Sequence, residues 1–264
     1  MNTRRRKLII GSSVFLYMLI QGAQANPNHL EPIPPYHPLD VDDIIHSYSQ
    51  AVFTSLIGKG WRPSLWMIER PSFSREYAVI LWCTIEYDPN DTRPLWRREI
   101  KRKQWVVEHV TPKEKIWKFR RARRGSEVPD IKPTKDVERH RVAVTEDFAK
   151  AVQEAWLNTL QLTRYAEDTG HGLDGTTLQF CYEDLFGQAW SPQAGLPAML
   201  ADLGRKLSTL ALSDEKSREP LLAEADSLAR KVAKEAEAEQ IRLFGKKISL
   251  GTLGVGTLGT LGGL

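Results

Sequence analysis

The alternation of apolar and polar positions between residues 65 and 144 predicts a β-sheet. Segments rich in Val, Ile, Trp, Tyr and Phe are separated by polar, Pro or Gly breaks, which is typical of strands. In the segment 77–87 both alternating sets of side chains are apolar, so we expect a central strand that is covered on both faces. Short connections favour antiparallel pairing. The predicted strands are 65–69, 77–87, 96–110, 115–121, 137–144 and, further along the chain, 176–183.

Apolar residues at three- and four-residue steps predict helices on either side of these strands. Asp40 is a candidate N-cap for a helix that ends near Gly58. Thr145 is a candidate N-cap for a second helix, because acidic residues follow it in the first turn. A third apolar stripe follows Ser191 and Pro192. The predicted helices are 40–57, 146–165 and 195–212.

These elements predict an α+β domain over residues 39–212, with an antiparallel sheet of about five to six strands covered by helices. Residues 213–245 describe a long amphipathic helical extension with a narrow, Ala-rich apolar seam. That seam could lie against the domain, pair with a second copy as a coiled coil, or stand free. Residues 246–264 are a low-complexity Leu-Gly-Thr tail, which we expect to be disordered.

The first 25 residues predict a secretory signal peptide. Four cations at residues 4–7 precede an apolar stretch at 8–20, which is shorter than the roughly 20 residues that span a bilayer. Ala23, Gln24 and Ala25 then form a small-x-small pattern, so we expect cleavage between Ala25 and Asn26. The mature protein would be periplasmic or secreted, with no membrane span, and would begin with a Pro-rich extended segment at 26–38.

Export bears on the two cysteines, Cys83 and Cys181. An oxidising compartment allows one disulfide between them, closing a long loop. The alternative is a pair of buried thiols, since each cysteine lies in an apolar, strand-like run. The spacing in the sequence leaves both alternatives open, because it does not test the geometry of a bridge.

Charge is strongly segregated along the chain. The formal net charge of +4 equals the charge of residues 4–7, so the chain after residue 25 is neutral. Residues 93–124 nevertheless contain thirteen Lys or Arg and only three Glu, a net charge of +10 against −10 in the rest of the mature chain. Trp side chains are interleaved with these cations. The candidate binding residues are Arg97, Arg98, Lys101, Arg102, Lys103, Lys118, Arg120, Arg121, Arg123 and Arg124, together with Trp105 and Trp117.

Cations mixed with aromatic residues are typical of surfaces that bind single-stranded nucleic acid. Export disfavours nucleic acid and favours an anionic envelope component or an acidic protein surface, which the same field attracts. The alternative is a solvated face, or one that pairs with acidic helices of the same chain. A composition that is 41% hydrophobic and 27% charged excludes collagen-like and wholly disordered chains.

The sequence contains no zinc-type Cys or His spacing, no phosphate-binding glycine loop and no Gly-x-Ser-x-Gly elbow. We therefore expect no metal and no cofactor, and we favour a non-enzymatic protein. One group of carboxylates supports the alternative of an envelope hydrolase, because a cation site or an acid/base pair needs such residues. These carboxylates are Glu167, Asp168, Asp174, Glu183 and Asp184.

A turn and a helix start supply one resemblance. The segment 172–180, which contains Asp174-Gly175-Thr176, is followed by Trp190-Ser191-Pro192. This combination resembles a pattern in small exported bacterial proteins of unassigned function, in which an amphipathic helix precedes a DGT strand and a Trp-Ser-Pro helix start. The likeness covers residues 145–210. It implies an exported location and this architecture, and it transfers no catalytic residue.

The expected function is therefore that of an exported non-enzymatic binding or envelope-accessory protein. Its basic and aromatic surface, residues 93–124, would contact a protein or an anionic envelope partner. Two alternatives stay open, the envelope hydrolase and an oligomeric structural protein assembled through residues 213–245.

Overall fold

The computed structural model describes residues 29–33, 44–58, 63–94, 97–121, 127–165 and 175–248. In chain order its elements are α1 (Ile44–Leu56), β1 (Leu65–Pro71), β2 (Tyr77–Tyr87), β3 (Ile100–Pro112), β4 (Trp117–Arg121), β5 (Glu127–Ile131), β6 (Val137–Val144), α2 (Glu146–Leu160), β7 (Thr176–Tyr182), β8 (Leu185–Trp190), α3 (Gly195–Leu212) and α4 (Glu215–Phe244). The predicted signal peptide with its Ala25–Asn26 cleavage site lies outside these residues, as does the tail from 249 onwards.

The main sheet has six strands in the order β6-β3-β2-β1-β7-β8, and every neighbouring pair is antiparallel. A separate hairpin consists of β4 and β5. The predicted α+β class with an antiparallel sheet is confirmed. The predictions 77–87 and 137–144 match β2 and β6, whereas β5 and β8 were not predicted.

Apolar side chains cover both faces of the sheet, because successive residues of each strand point to opposite sides. On one face, which we call the helix face, Met67, Leu81 and Phe180 pack in a core with α2, α3 and α4. On the other face, Ile68 and Ile80 pack with α1 and with residues beside the β4-β5 hairpin. Each fully buried side chain of this size contributes about 2 kcal/mol relative to exposure.

The start of α2 follows the predicted capping pattern. The hydroxyl of Thr145 accepts a hydrogen bond from the backbone N–H of Phe148 at 3.3 Å. Glu146 and Asp147 occupy the first turn, where the helix dipole favours negative charge. The helix then runs to Leu160, five residues short of the predicted end.

The long helix α4 belongs to the same core as the sheet. Its seam, which includes Ala225, Ala229 and Val232, is fully buried against α2 and α3. Small alanines allow the helices to approach closely, and the side chain of Gln240 donates to the carbonyl of Asn158 on α2 at 2.9 Å. Of the three alternatives for residues 213–245, packing against the domain is the one found, so the seam is already occupied within one chain.

The disulfide alternative for Cys83 and Cys181 is wrong, because both thiols are free. Cys83 lies on β2 and packs with the helix face, whereas Cys181 lies on β7 and packs with the opposite face. Strand β1 separates β2 from β7. Side chains on opposite faces of a sheet and two strands apart cannot reach the geometry of a bridge. Burial raises the pKa of Cys181 to about 12, so this thiol is inert near neutral pH.

The two outer strands of the sheet differ. At β8, Glu31 and Gln188 exchange backbone hydrogen bonds of 2.8 and 2.7 Å, and the neighbouring Leu30 is fully buried. At β6, no residue within the described ranges pairs with the outer edge. None of the described helices is long and apolar enough to cross a membrane.

Candidate functional site

Strand β3 divides the basic segment into two groups of cations. The strand has 13 residues, which corresponds to about 40 Å at roughly 3.3 Å per residue. One group comprises cations before the strand and in its first residues, and the other follows its last residue. We call residues 83–104 the arm and residues 113–136 the hairpin end. The predicted surface at 93–124 is therefore two surfaces.

The arm is a two-stranded ribbon that continues past the six-stranded sheet. Pairing of β1 with β2 extends only to Leu81, and pairing of β6 with β3 only to Trp105. Beyond these residues β2 and β3 pair with each other alone, with Ile85 opposite Lys103 and a register shift next to Glu86. The arm thus leaves two strand edges open among the described residues.

Hydrogen bonds to one carboxylate order the loop of the arm. Asp91 accepts from the backbone N–H of Arg93 at 3.0 Å and from the backbone N–H of Glu99 at 3.1 Å. The guanidinium of Arg93 also donates to it, at 2.7 Å for the closest pair of atoms. These hydrogen bonds hold the pKa of Asp91 well below its usual range. The guanidinium of Arg98 donates to the carbonyl of Arg93 at 2.6 Å.

The remaining cations of the arm are turned to solvent. Arg97, Lys101 and Arg102 are exposed, and none of them forms an ion pair within the described part of the chain. Lys103 reaches Glu146 at the start of α2, at 3.2 Å. Apolar surface accompanies these charges, because Ile85 and Ile100 are 44% and 52% exposed.

The two tryptophans of the predicted surface pack against other residues of the chain. Trp105 is 9% exposed and belongs to the core on the helix face, where Lys103 lies 5.3 Å from the centre of its ring. Trp117 packs edge-on against Tyr48 of α1, with ring centres 5.0 Å apart. Trp105 is therefore largely covered, whereas Trp117 is half-buried beside Tyr48, and a binding role for the two rings stays a prediction.

At the hairpin end, three lysines pair with neighbouring carboxylates. Lys113 contacts Asp136 at 2.7 Å, Lys132 contacts Asp130 at 3.0 Å, and Lys118 contacts Glu114. These side chains line a cleft of about 360 Å³ between the ends of β4 and β5. Arg120 and Arg121 belong to β4, while Arg123 and Arg124 lie outside the described residues.

A buried carboxylate fixes the hairpin end to the sheet. Glu76 is 1% exposed, and it accepts from the hydroxyl of Tyr48 at 2.7 Å and from the backbone N–H of Ile116 at 3.2 Å. Burial and the adjacent carboxylate raise the pKa of Tyr48 well above its usual range. The hydroxyl of Ser55 also accepts from the N–H of Thr134, at 2.9 Å. This end of β3 is therefore integrated into the fold.

Two further buried polar groups lie between the sheet and α3, and sequence reasoning missed both. Glu69 accepts from the hydroxyl of Tyr77 at 2.6 Å and from the guanidinium of Arg205 at 3.1 Å. His109 Nδ1 and Ser208 Oγ are 2.9 Å apart, and burial lowers the pKa of His109 to about 4. Both members of this Ser-His pair are less than a tenth exposed, so the pair joins α3 to the sheet and has no room for a substrate.

A further buried carboxylate lies on β3 beside the outer strand β6. Glu108 is fully buried on β3 and accepts from Arg141 at 2.8 Å and from Arg139 at 3.2 Å. The guanidinium of Arg141 also lies 5.5 Å from the centre of the Trp82 ring. A carboxylate within an apolar run such as 105–110 is the signal that could have indicated an internal ion pair.

Two of the five carboxylates of the hydrolase alternative lie within the described residues. Glu183 and Asp184 are exposed in the turn between β7 and β8, and the backbone N–H of Glu183 donates to the carbonyl of Ser64. Glu167, Asp168 and Asp174 lie outside the described residues. Among the residues that are described, no group of His, Cys, Asp and Glu is arranged to hold a metal ion.

Residues Gly175, Trp190 and Ser191, which belong to the pattern behind the resemblance, contact one another in the structure. A Cβ at Gly175 would overlap the ring of Trp190, which explains why glycine occupies that position. The hydroxyl of Ser191 accepts from the N–H of Thr176 at 2.8 Å and joins the two ends of the β7-β8 hairpin. No family model, curated protein or solved structure matches the chain. The resemblance stays a prediction.

Proposed function

We propose that this is an exported, non-enzymatic binding protein that contacts an acidic protein or an anionic envelope partner through the arm. One observation carries the proposal. Arg97, Lys101 and Arg102 are exposed without ion pairs within the described residues, beside the exposed side chains of Ile85 and Ile100. Cations that carry no internal pairing are available to a partner, and the neighbouring apolar surface adds contact area.

The position of the arm supports this role. It extends beyond the packed sheet, so a partner can approach either of its edges without displacing the core. Its loop is held by Asp91, which limits the conformational entropy that binding would cost. The opposing electrostatic potentials of the arm and an acidic partner would raise the association rate and make it depend on salt.

The proposed location depends on the pattern of residues 1–25, which has the basic, apolar and small-residue regions of a signal peptide. In an exported protein, anionic lipids, acidic glycans and acidic proteins are the partners within reach. Mass spectrometry of the chain recovered from the exported fraction should give a mature protein that begins at Asn26. Recovery of the intact chain from the cytoplasmic fraction alone would contradict export.

The binding role is tested by removing the unpaired charges of the arm. We expect the triple variant Arg97→Gln, Lys101→Gln and Arg102→Gln to bind immobilised polyglutamate, or vesicles containing phosphatidylglycerol, about tenfold more weakly than the unmodified protein at low salt. A matched variant removes three exposed lysines from α4, Lys216→Gln, Lys231→Gln and Lys234→Gln. Its loss should stay within about twofold. Equal losses in the two variants would contradict a specific role of the arm.

A further inference from the structure

The outer edge of β3 within the arm is an unoccupied strand-pairing surface. Strand β6 pairs with β3 from Trp105 to Pro112, and residues 100–104 of β3 continue beyond it. On that outer side, no strand pairs with these five residues among the described parts of the chain. Alternate residues of an antiparallel strand direct both N–H and C=O to the same side, so this stretch offers unpaired backbone groups.

The charges of the side chains along this edge determine which sequences can pair with it as an added strand. Lys101, Arg102 and Lys103 are consecutive and exposed. Because side chains alternate, cations project on both faces of the ribbon. Side chains of an added strand would lie about 5 Å from them, where opposite charges stabilise the pairing and like charges destabilise it.

A second copy of this chain is a poor occupant of the edge. If two copies paired antiparallel through residues 100–104, Lys and Arg of one copy would lie opposite Lys and Arg of the other. Cations on an exposed edge strand prevent self-association in this way. The same charges favour an acidic strand, so charge complementarity identifies a different chain as the occupant.

A contact within the protein shows that carboxylates approach this edge. Glu146 lies just beyond the end of β6, and its Oε1 is 3.2 Å from the Nζ of Lys103. The same carboxylate oxygen is 3.2 Å from Lys150. An acidic side chain on an added strand would meet Lys103 in a similar way, and Glu146 would keep Lys150 as its partner.

We propose that residues 100–104 of the arm accept an extended acidic segment of a partner protein as an added β-strand. This rests on the proposed function, in which the arm binds an acidic partner, and it names the binding mode. The added strand would lie in line with β6 and would place acidic residues beside Lys101, Arg102 and Lys103. Backbone hydrogen bonds would contribute affinity and the cations would contribute specificity.

The test uses two short peptides of equal charge and the full chain. One is an acidic peptide of alternating Glu and Val, and the other is the same peptide N-methylated at every residue, so that neither of its strand edges offers a backbone N–H. We expect the first to bind the unmodified protein at least tenfold more tightly than the second. It should also slow hydrogen exchange at the amides of residues 100–104, because strand addition protects outward N–H groups.

Protein variants complete the test. The variant Lys101→Gln, Arg102→Gln and Lys103→Gln should lose about tenfold in affinity for the acidic peptide, whereas the α4 variant at Lys216, Lys231 and Lys234 should lose less than twofold. All six side chains are on the surface, so we expect both variants to fold. Circular dichroism and the urea midpoint of each variant test this.

The outcomes separate this proposal from the proposed function. Equal affinity for both peptides, without protection of residues 100–104, would overturn strand addition and leave a charge contact of the arm intact. Binding to vesicles with phosphatidylglycerol but to neither peptide would also overturn it, since the partner would then be a lipid surface. Binding to no acidic probe at all would overturn both proposals.

Discussion

The two ends of β3 carry similar residues and differ in what those residues do. At the hairpin end, Lys113, Lys118 and Lys132 pair with carboxylates. In the arm, Lys101 and Arg102 are exposed without an ion pair among the described residues. A high density of cations in the sequence therefore does not by itself indicate a binding surface. The distinction depends on whether a carboxylate lies within ion-pairing distance of each cation, as Glu114, Asp130 and Asp136 do at the hairpin end.

The two ends of β3 also differ in what stabilises them. Surface ion pairs such as those at the hairpin end contribute roughly 0–1 kcal/mol each. What holds that end in place is burial, with Glu76 below the surface and Ile116 in the core. The arm has its exposed apolar side chains and open strand edges instead. We expect substitutions at the hairpin end to affect stability and substitutions in the arm to affect binding.

The largest expected effect is that of Glu76→Ala. The substitution leaves the Tyr48 hydroxyl and the Ile116 N–H without their acceptor, which should lower the free energy of unfolding by about 3 kcal/mol. Urea denaturation followed by circular dichroism measures this change. The matched substitution Glu86→Ala in the arm removes an exposed carboxylate and should change stability by less than about 0.5 kcal/mol. Similar losses for both would remove the contrast between the two ends.

A pH effect comes from His109, in the covered middle of β3. Burial lowers its pKa to about 4, so the folded protein binds the proton less readily than the unfolded chain, whose histidine has a pKa near 6.5. The stability that this group contributes is fully present above about pH 6.5 and is lost as the pH falls through about 4. We expect a loss of roughly 2 to 3 kcal/mol between pH 7 and pH 4.5.

Urea midpoints measured across this pH range, compared with those of His109→Gln, isolate the contribution of His109. Gln retains a hydrogen-bonding side chain next to Ser208 but does not titrate. A variant with the same pH dependence as the unmodified protein would show that other groups cause the slope.

A smaller and local effect is expected from Asp91→Ala in the loop of the arm. The substitution removes the acceptor for the N–H groups of Arg93 and Glu99. Hydrogen exchange at residues 88–94 should become faster while the melting temperature of the domain stays unchanged, because the arm lies outside the core. A lower melting temperature would indicate that the arm supports the sheet, contrary to the comparison above.

The smallest effect should follow from neutralising the hairpin end, with Lys113→Gln, Lys118→Gln and Lys132→Gln. Each lysine is exposed and paired, so the free energy of unfolding should fall by no more than about 1 kcal/mol in total. Affinity for polyglutamate should change less than twofold. A tenfold loss would show that the acidic probe binds at the cleft of the hairpin end and not at the arm.

The sequence predicted those elements whose periodicity is strong. Segment 77–87 is apolar on both faces and became the central strand β2, and the Thr145 cap marks the start of α2. Strands β5 and β8 were missed because Pro129 and Gly187 interrupt the pattern of strand-forming residues. The seam of α4 was recognised, but a seam does not reveal whether its partner is the same chain or another one.

The candidate site was predicted as a segment, and its division into two surfaces was not. The end of β6 at Val144 was predicted, but the pairing of β6 with β3 only as far as Trp105 was not, and the division depends on that pairing. One signal was present, since Trp105 alternates with Val107 and His109 and so belongs to the covered face. Glu76 gave no signal, because its partners Tyr48 and Ile116 are distant in the chain.

The backbone hydrogen bonds between Glu31 and Gln188 place residues 29–33 on the β8 side of the sheet, away from the arm. Four strand spacings of about 4.8 Å, roughly 19 Å in all, separate β8 from β3. Binding at the arm would therefore leave the contact between Glu31 and Gln188 undisturbed, because the two lie on different flanks of the sheet.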